Sequence, residues 1–144
     1  MNDQPNRMII SETEIRVRYA ETDKMGFVYH GNYLTWFEVA RVRLLDDLNC
    51  PYADLEEEGY FLPVLKADLR YRKPLTFDDR AMVRVFLRER PGLRIALDYE
   101  VVSREEVCTT GHTLHAFIDP KGKPKKPPTR FLEAVAAAWP TNES

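Results

Sequence analysis

Only two cysteines, six glycines and three histidines occur among the 144 residues, and no apolar run approaches the roughly 20 residues of a membrane span. Cys50 and Cys108 are too few for a disulfide framework and form no Cys-x-x-Cys pair, so two reduced thiols in a cytoplasmic protein are expected. The polar lead Met1-Asn2-Asp3-Gln4-Pro5-Asn6-Arg7 lacks the apolar core of a signal peptide. Neither sign of charge prevails, with 21 Lys and Arg against 23 Asp and Glu, and this balance gives no support to a nucleic-acid partner. No Gly-x-Ser-x-Gly elbow, P-loop or dinucleotide fingerprint occurs, so serine-hydrolase and nucleotide chemistry lack a vehicle. His112 and His115 are three apart on an expected strand and fall on opposite faces, so no metal site is expected.

What is present is a globular composition, 44% hydrophobic and 31% charged, on a chain the size of one domain spanning residues 1–144. Residues 13–19 alternate, with Ile15, Val17 and Tyr19 on one face, which predicts a half-buried strand. From about Gly31 to Asn49 a helical period replaces it: Tyr33, Phe37, Ala40, Leu44 and Leu48 recur at steps of three and four, with Trp36, Val39 and Leu45 widening the face. Asn49-Cys50-Pro51 stops this helix. Beyond a loop or short helix at Asp54 to Gly59, period two returns. Leu65, Ala67, Leu69 and Tyr71 form one series, Val83, Val85 and Leu87 a second, and Ile95, Leu97, Tyr99 and Val101 a third. A last run covers Val107 to Ile118, and a short apolar helix is expected from Phe131 to Trp139. One long buried helix after the first of about five strands is an α+β arrangement, in which a curved antiparallel sheet wraps the helix.

Chemistry concentrates in residues 19–41. A carboxylate, Asp23, precedes a glycine turn at Gly26, and a His30-Gly31-Asn32 step follows at the N-terminal end of the buried helix. Such an end carries free N–H groups and a positive dipole, suited to an anion or to an oxyanion that develops in a transition state. Taken alone, Asp23 reads equally as a turn or capping residue, and Glu21 is the alternative carboxylate. His30 offers either its ring as a base or its backbone N–H as a donor.

Arg18-Tyr19, Thr22-Asp23, Gly26, Val28, His30, Asn32-Tyr33 and Trp36-Phe37-Glu38-x-Ala40-Arg41 together resemble the signature of the 4-hydroxybenzoyl-coenzyme A thioesterase family, especially its Tol-Pal-associated acyl-CoA thioesterase branch. The likeness covers roughly residues 10 to 132. It implies a hot-dog fold and a cofactor-independent acyl-CoA thioesterase, with Asp23 as the catalytic aspartate and the backbone N–H of His30 polarising the thioester carbonyl. It further implies homodimers, often paired into tetramers, with active sites at the subunit interface. The chemistry is consistent: a thiolate with a pKa near 8.5 leaves with little acid assistance, so one carboxylate and one oxyanion donor suffice. Asp23 could act as general base or as nucleophile. Tyr33 and Phe37 are expected along the acyl channel, and Arg72, Arg88 and Arg90 head a pool of cations for the coenzyme A phosphates. The rival readings are a thioesterase acting on acyl carrier protein and a non-catalytic acyl-thioester binding module.

Overall fold

The computed structural model describes residues 7–140, and the polar lead Met1 to Asn6 lies outside them. Five strands, β1 (Ile9–Arg16), β2 (Val64–Tyr71), β3 (Arg80–Leu87), β4 (Ile95–Ser103) and β5 (Glu106–His115), form one antiparallel sheet in the order β1-β3-β4-β5-β2. The long helix α1 (Asn32–Asp47) follows β1; α2 (Tyr52–Glu57) precedes β2, and α3 (Thr129–Ala138) closes the described chain. The expected α+β arrangement of one long helix against a curved five-stranded sheet is the one observed, and it is the hot-dog fold. Among the described residues no helix is long and apolar enough to cross a membrane.

Side-chain periodicity explains the layers. Along β4 the residues Ile95, Leu97, Tyr99 and Val101 are buried and the intervening ones half-buried, as expected for a strand with one face on a core. Val83, Val85 and Leu87 are likewise buried on β3, though Phe86 between the last two is buried as well. Helix α1 turns Tyr33, Trp36, Phe37, Ala40, Leu44 and Leu45 inward, but Val39 is exposed, so the apolar face is narrower on that side than its sequence suggests. The helix ends at Asp47, and Asn49 two residues on, at φ 58°, takes the left-handed conformation that asparagine tolerates and stops it as expected.

Three expectations are corrected. Strand β1 begins at Ile9 rather than residue 13 and ends at Arg16; Ser11, not an apolar side chain, fills its most buried position and donates a hydrogen bond to Asp47 of α1. Tyr19 falls in a 3₁₀ turn (Tyr19–Glu21), and this turn swings its ring outward. On β2 the expected inner face is largely open, because β2 is an edge strand: Leu65 and Tyr71 are about half exposed, Leu69 packs against the core and Tyr71 meets the core edge-on at Tyr33.

At Gly111 of β5 the sheet leaves no room for a side chain under the helix. A Cβ there would stand 2.4 Å from Cε2 and 2.7 Å from Cζ of Phe37, whose ring stacks on Tyr99 at 4.1 Å between centroids. The missing side chain is therefore what lets α1 settle onto the middle of the sheet. Gly111→Ala is expected to destabilise the fold by about 1–3 kcal/mol, the usual cost of forcing extra volume into a filled core. A urea midpoint unchanged from the wild type would show that the helix can lift without cost.

Candidate active site

The segment between β1 and α1 is shaped mainly by its own hydrogen bonds. Asp23 N–H donates to the Phe27 carbonyl at 2.8 Å, Gly26 N–H donates to the Asp23 carbonyl at 2.9 Å, and Thr22 bridges Val28. Gly26 sits at φ 85°, which explains why glycine stands at the tip of this turn. Val28 N–H donates to the Leu75 carbonyl and Phe27 bridges Thr76, so the turn is pinned against the chain leaving β2.

Within this turn the two oxygens of Asp23 have different duties. Oδ1 accepts the N–H groups of Met25 at 2.9 Å and Phe27 at 3.3 Å, an arrangement that fixes the side chain. Oδ2 has no hydrogen-bond partner among the described residues. Asp23 is thus a turn residue and a carboxylate with one oxygen to spare.

Helix α1 starts from Gly31 without a capping side chain, and the backbone N–H of His30 donates to no acceptor among the described residues. The His30 carbonyl, by contrast, accepts the Tyr71 hydroxyl at 3.2 Å and the Tyr33 N–H at 3.4 Å. Its ring lies against Tyr29 at 4.3 Å between centroids and is exposed. The residue is therefore held through its carbonyl, while its N–H, which belongs to the preceding peptide unit, stays available.

Asp23, His30, Tyr33 and Arg72 line one open groove of 380 Å³, together with Met25, Phe27, Val28, Tyr71, Lys73 and Pro74. Lys73 is paired with Glu106, whereas Arg72 has no acidic partner among the described residues. The other expected site residues lie elsewhere in the chain. Phe37 is fully buried on Tyr99. Arg88 bonds Asp98 at 2.8 Å on the outer face of the sheet, and Arg90 lies over the Trp139 ring. The sequence pattern places Tyr71 as one more inward residue of β2; the signal that marks it for the site is its place at the strand end, beside Arg72-Lys73-Pro74.

Glu21, the alternative carboxylate, does not line this groove. Its oxygens are already taken: one accepts the Arg18 N–H at 2.8 Å, the other the Trp36 indole N–H at 3.0 Å and the Arg18 guanidinium at 3.5 Å. Burial pushes its acidity towards the neutral form, but the hydrogen bonds from Arg18 and Trp36 and the charge of Arg18 outweigh it, and the carboxyl ends below the usual range.

A helix enfolded by a five-stranded antiparallel sheet is the hot-dog fold, and here it brings an aspartate and an open helix N-terminus into one groove. Sequence comparison agrees: the profile of the Thioesterase-like superfamily matches residues 17–138, and the chain belongs to that family of thioester hydrolases. It is 32% identical over 126 residues to the acyl-CoA thioesterase YbgC of Haemophilus influenzae, covering 87% of this chain and 90% of that one. It is 37% identical over 128 residues to YneP of Bacillus subtilis, provisionally named an acyl-CoA thioesterase, covering 88% and 91%. Among solved structures, the DHNA-CoA thioesterase from Staphylococcus aureus superposes with a TM-score of 0.86 at 38% identity, covering 90% of this chain and 91% of that one.

Proposed function

We propose that the protein is an acyl-CoA thioesterase that hydrolyses its substrate to a carboxylic acid and free coenzyme A, without a cofactor, in a single domain spanning residues 1–144. The observation that carries this reading is the groove shared by the spare oxygen of Asp23 and the unbonded N–H of His30. A thioester whose carbonyl oxygen accepts the His30 N–H presents its carbon to the Asp23 side. Asp23 then either takes a proton from the attacking water or attacks the carbon itself to give a mixed anhydride that water opens. In both routes the negative charge of the tetrahedral oxygen grows beside the helix N-terminus, and the C–S bond breaks to release the thiolate. Arg72 is the groove's unpaired cation for a phosphate of coenzyme A, and Tyr33 forms part of the wall beside the acyl group. A cytoplasmic location fits the two cysteines, both free and buried.

The test is thiol release from coenzyme A thioesters carrying short, long and aromatic acyl groups, with the same acyl groups offered on acyl carrier protein. Turnover of at least one coenzyme A substrate is expected. Turnover confined to the carrier protein, or tight binding with no hydrolysis of either, would reject the proposal in favour of a carrier-protein thioesterase or a binding module.

The proposal extends to assembly: a homodimer, or a pair of dimers, with each groove completed by a second chain. Support comes from edge strand β2, where Val64, Leu65 and Tyr71 are 44%, 50% and 51% exposed, and from Leu34, Val39 and Val42 on the open side of α1. An edge of this kind invites pairing, and apolar side chains so exposed gain by being covered. Light scattering at micromolar concentrations is expected to give at least twice the 16.8 kDa chain mass. A fully active monomer would contradict this.

A further inference from the structure

We infer that Glu21 is a positioning residue that sets the spacing between Asp23 and the His30 N–H. This inference rests on the thioesterase reading above. Glu21 is 7% exposed and joins three parts of the site. Its carboxylate grips the Arg18 N–H on one side and the indole of Trp36, in the second turn of α1, on the other. Its backbone carbonyl accepts two more bonds, from Asn32 Nδ2 at 2.8 Å and from the Tyr29 N–H at 2.9 Å. Asp23 lies two residues after Glu21, and His30 directly follows Tyr29. The two ends of the loop bearing the reacting groups are therefore tied to each other and to the helix through one residue.

The charge matters to this role as well as the shape. Two N–H donors, from Arg18 and Trp36, converge on separate oxygens of the carboxylate. Glutamine has one acceptor oxygen and one NH₂ group, so in either orientation its NH₂ faces a donor. A buried donor facing a donor is costly, and the loop can relieve it by shifting away from α1. A displacement of that kind moves Asp23 relative to the N–H that holds the carbonyl, which is the geometry on which turnover depends.

The experiment is a double-mutant cycle with an acyl-CoA substrate, measuring kcat, KM and the thermal midpoint of each variant. Glu21→Gln is expected to lower kcat by roughly tenfold, well short of the loss expected for Asp23→Asn, with KM held within about twofold. In the Asp23→Asn background the same change is expected to cost less than about threefold further, because a residue acting through Asp23 has little left to act upon. Equal fold-losses in both backgrounds would mean that Glu21 only supports the fold and would overturn the inference. A loss from Glu21→Gln alone as deep as that from Asp23→Asn would overturn it differently, by making Glu21 the reacting carboxylate. Should Glu21→Gln fail to fold, Asn32→Ala removes only the side-chain bond to the Glu21 carbonyl and must give the same kcat-selective, non-additive pattern; an additive loss there overturns the inference equally. Full activity in Asp23→Asn would instead refute the thioesterase mechanism itself, so the two failures are distinct.

Discussion

Asp23→Asn is expected to lower turnover at least about a hundredfold, the lower range for removing a general base, while stability and KM change little. The structure explains why the substitution is selective. The amide oxygen of asparagine can still accept the Met25 and Phe27 N–H groups that Oδ1 accepts now, so the turn survives. The NH₂ group then occupies the place of the spare oxygen, where it can neither take a proton nor attack a carbonyl. His30→Ala serves as the contrast: it removes the exposed ring but keeps the backbone N–H, and appreciable activity is expected to remain. More than a third of wild-type turnover in Asp23→Asn, measured as steady-state kcat, would sink the assignment.

The second large effect concerns pH and stability and originates far from the groove. His115 is fully buried at the end of β5. Its Nδ1 lies 3.0 Å from the Pro63 carbonyl, which can only accept, so Nδ1 carries the hydrogen. Nε2 must then accept from Thr113 Oγ1 at 2.8 Å; Thr113 Oγ1 accepts from the Tyr99 hydroxyl at 2.6 Å, and that hydroxyl accepts from Arg41 at 3.2 Å. A proton added at Nε2 would reverse this chain against the Arg41 charge.

Burial, followed by the positive charge of Arg41, pushes the His115 pKa from 6.5 down to about 4. Between those values the unfolded chain binds a proton that the folded one refuses, so stability is complete above pH 6.5 and is lost as pH falls towards 4. The full loss is roughly 3 kcal/mol, of which about 2 should be visible by pH 5, before most carboxylates titrate. Urea midpoints at fixed protein concentration, compared at neutral pH and at about pH 5, should show this slope in the wild type and a much flatter one in His115→Gln. Equal slopes in the two proteins would place the proton elsewhere.

Strand β4 and helix α1 were legible in the sequence because each has one face on the core, and a one-sided burial writes its period directly into the residue order. The turn at Gly26 and the stop at Asn49 were legible because positive φ restricts the residue choice. Strand β2 was less so: its alternation is real, but whether the inner face is covered depends on its neighbours, and β2 came to lie at an edge. At Ser11 the partner is Asp47, 36 residues away, and nothing local in the pattern announces that contact. The site shows the same limit. Asp23 and His30 belong to one short segment and could be read together, whereas the separation of Arg88 and Arg90 from Arg72 follows from strand order, to which charge alternation is blind.

The groove has two walls of different origin. One is the turn from Asp23 to His30, whose shape comes largely from hydrogen bonds within its own residues; the other is Tyr71 to Pro74, contributed by the end of an edge strand. The two meet at Tyr71, whose hydroxyl bonds the His30 carbonyl. Substitutions at Arg72 or Lys73 can reshape what the groove admits while the hydrogen bonds inside the turn stay in place. A change inside the turn disturbs Asp23 and His30 together.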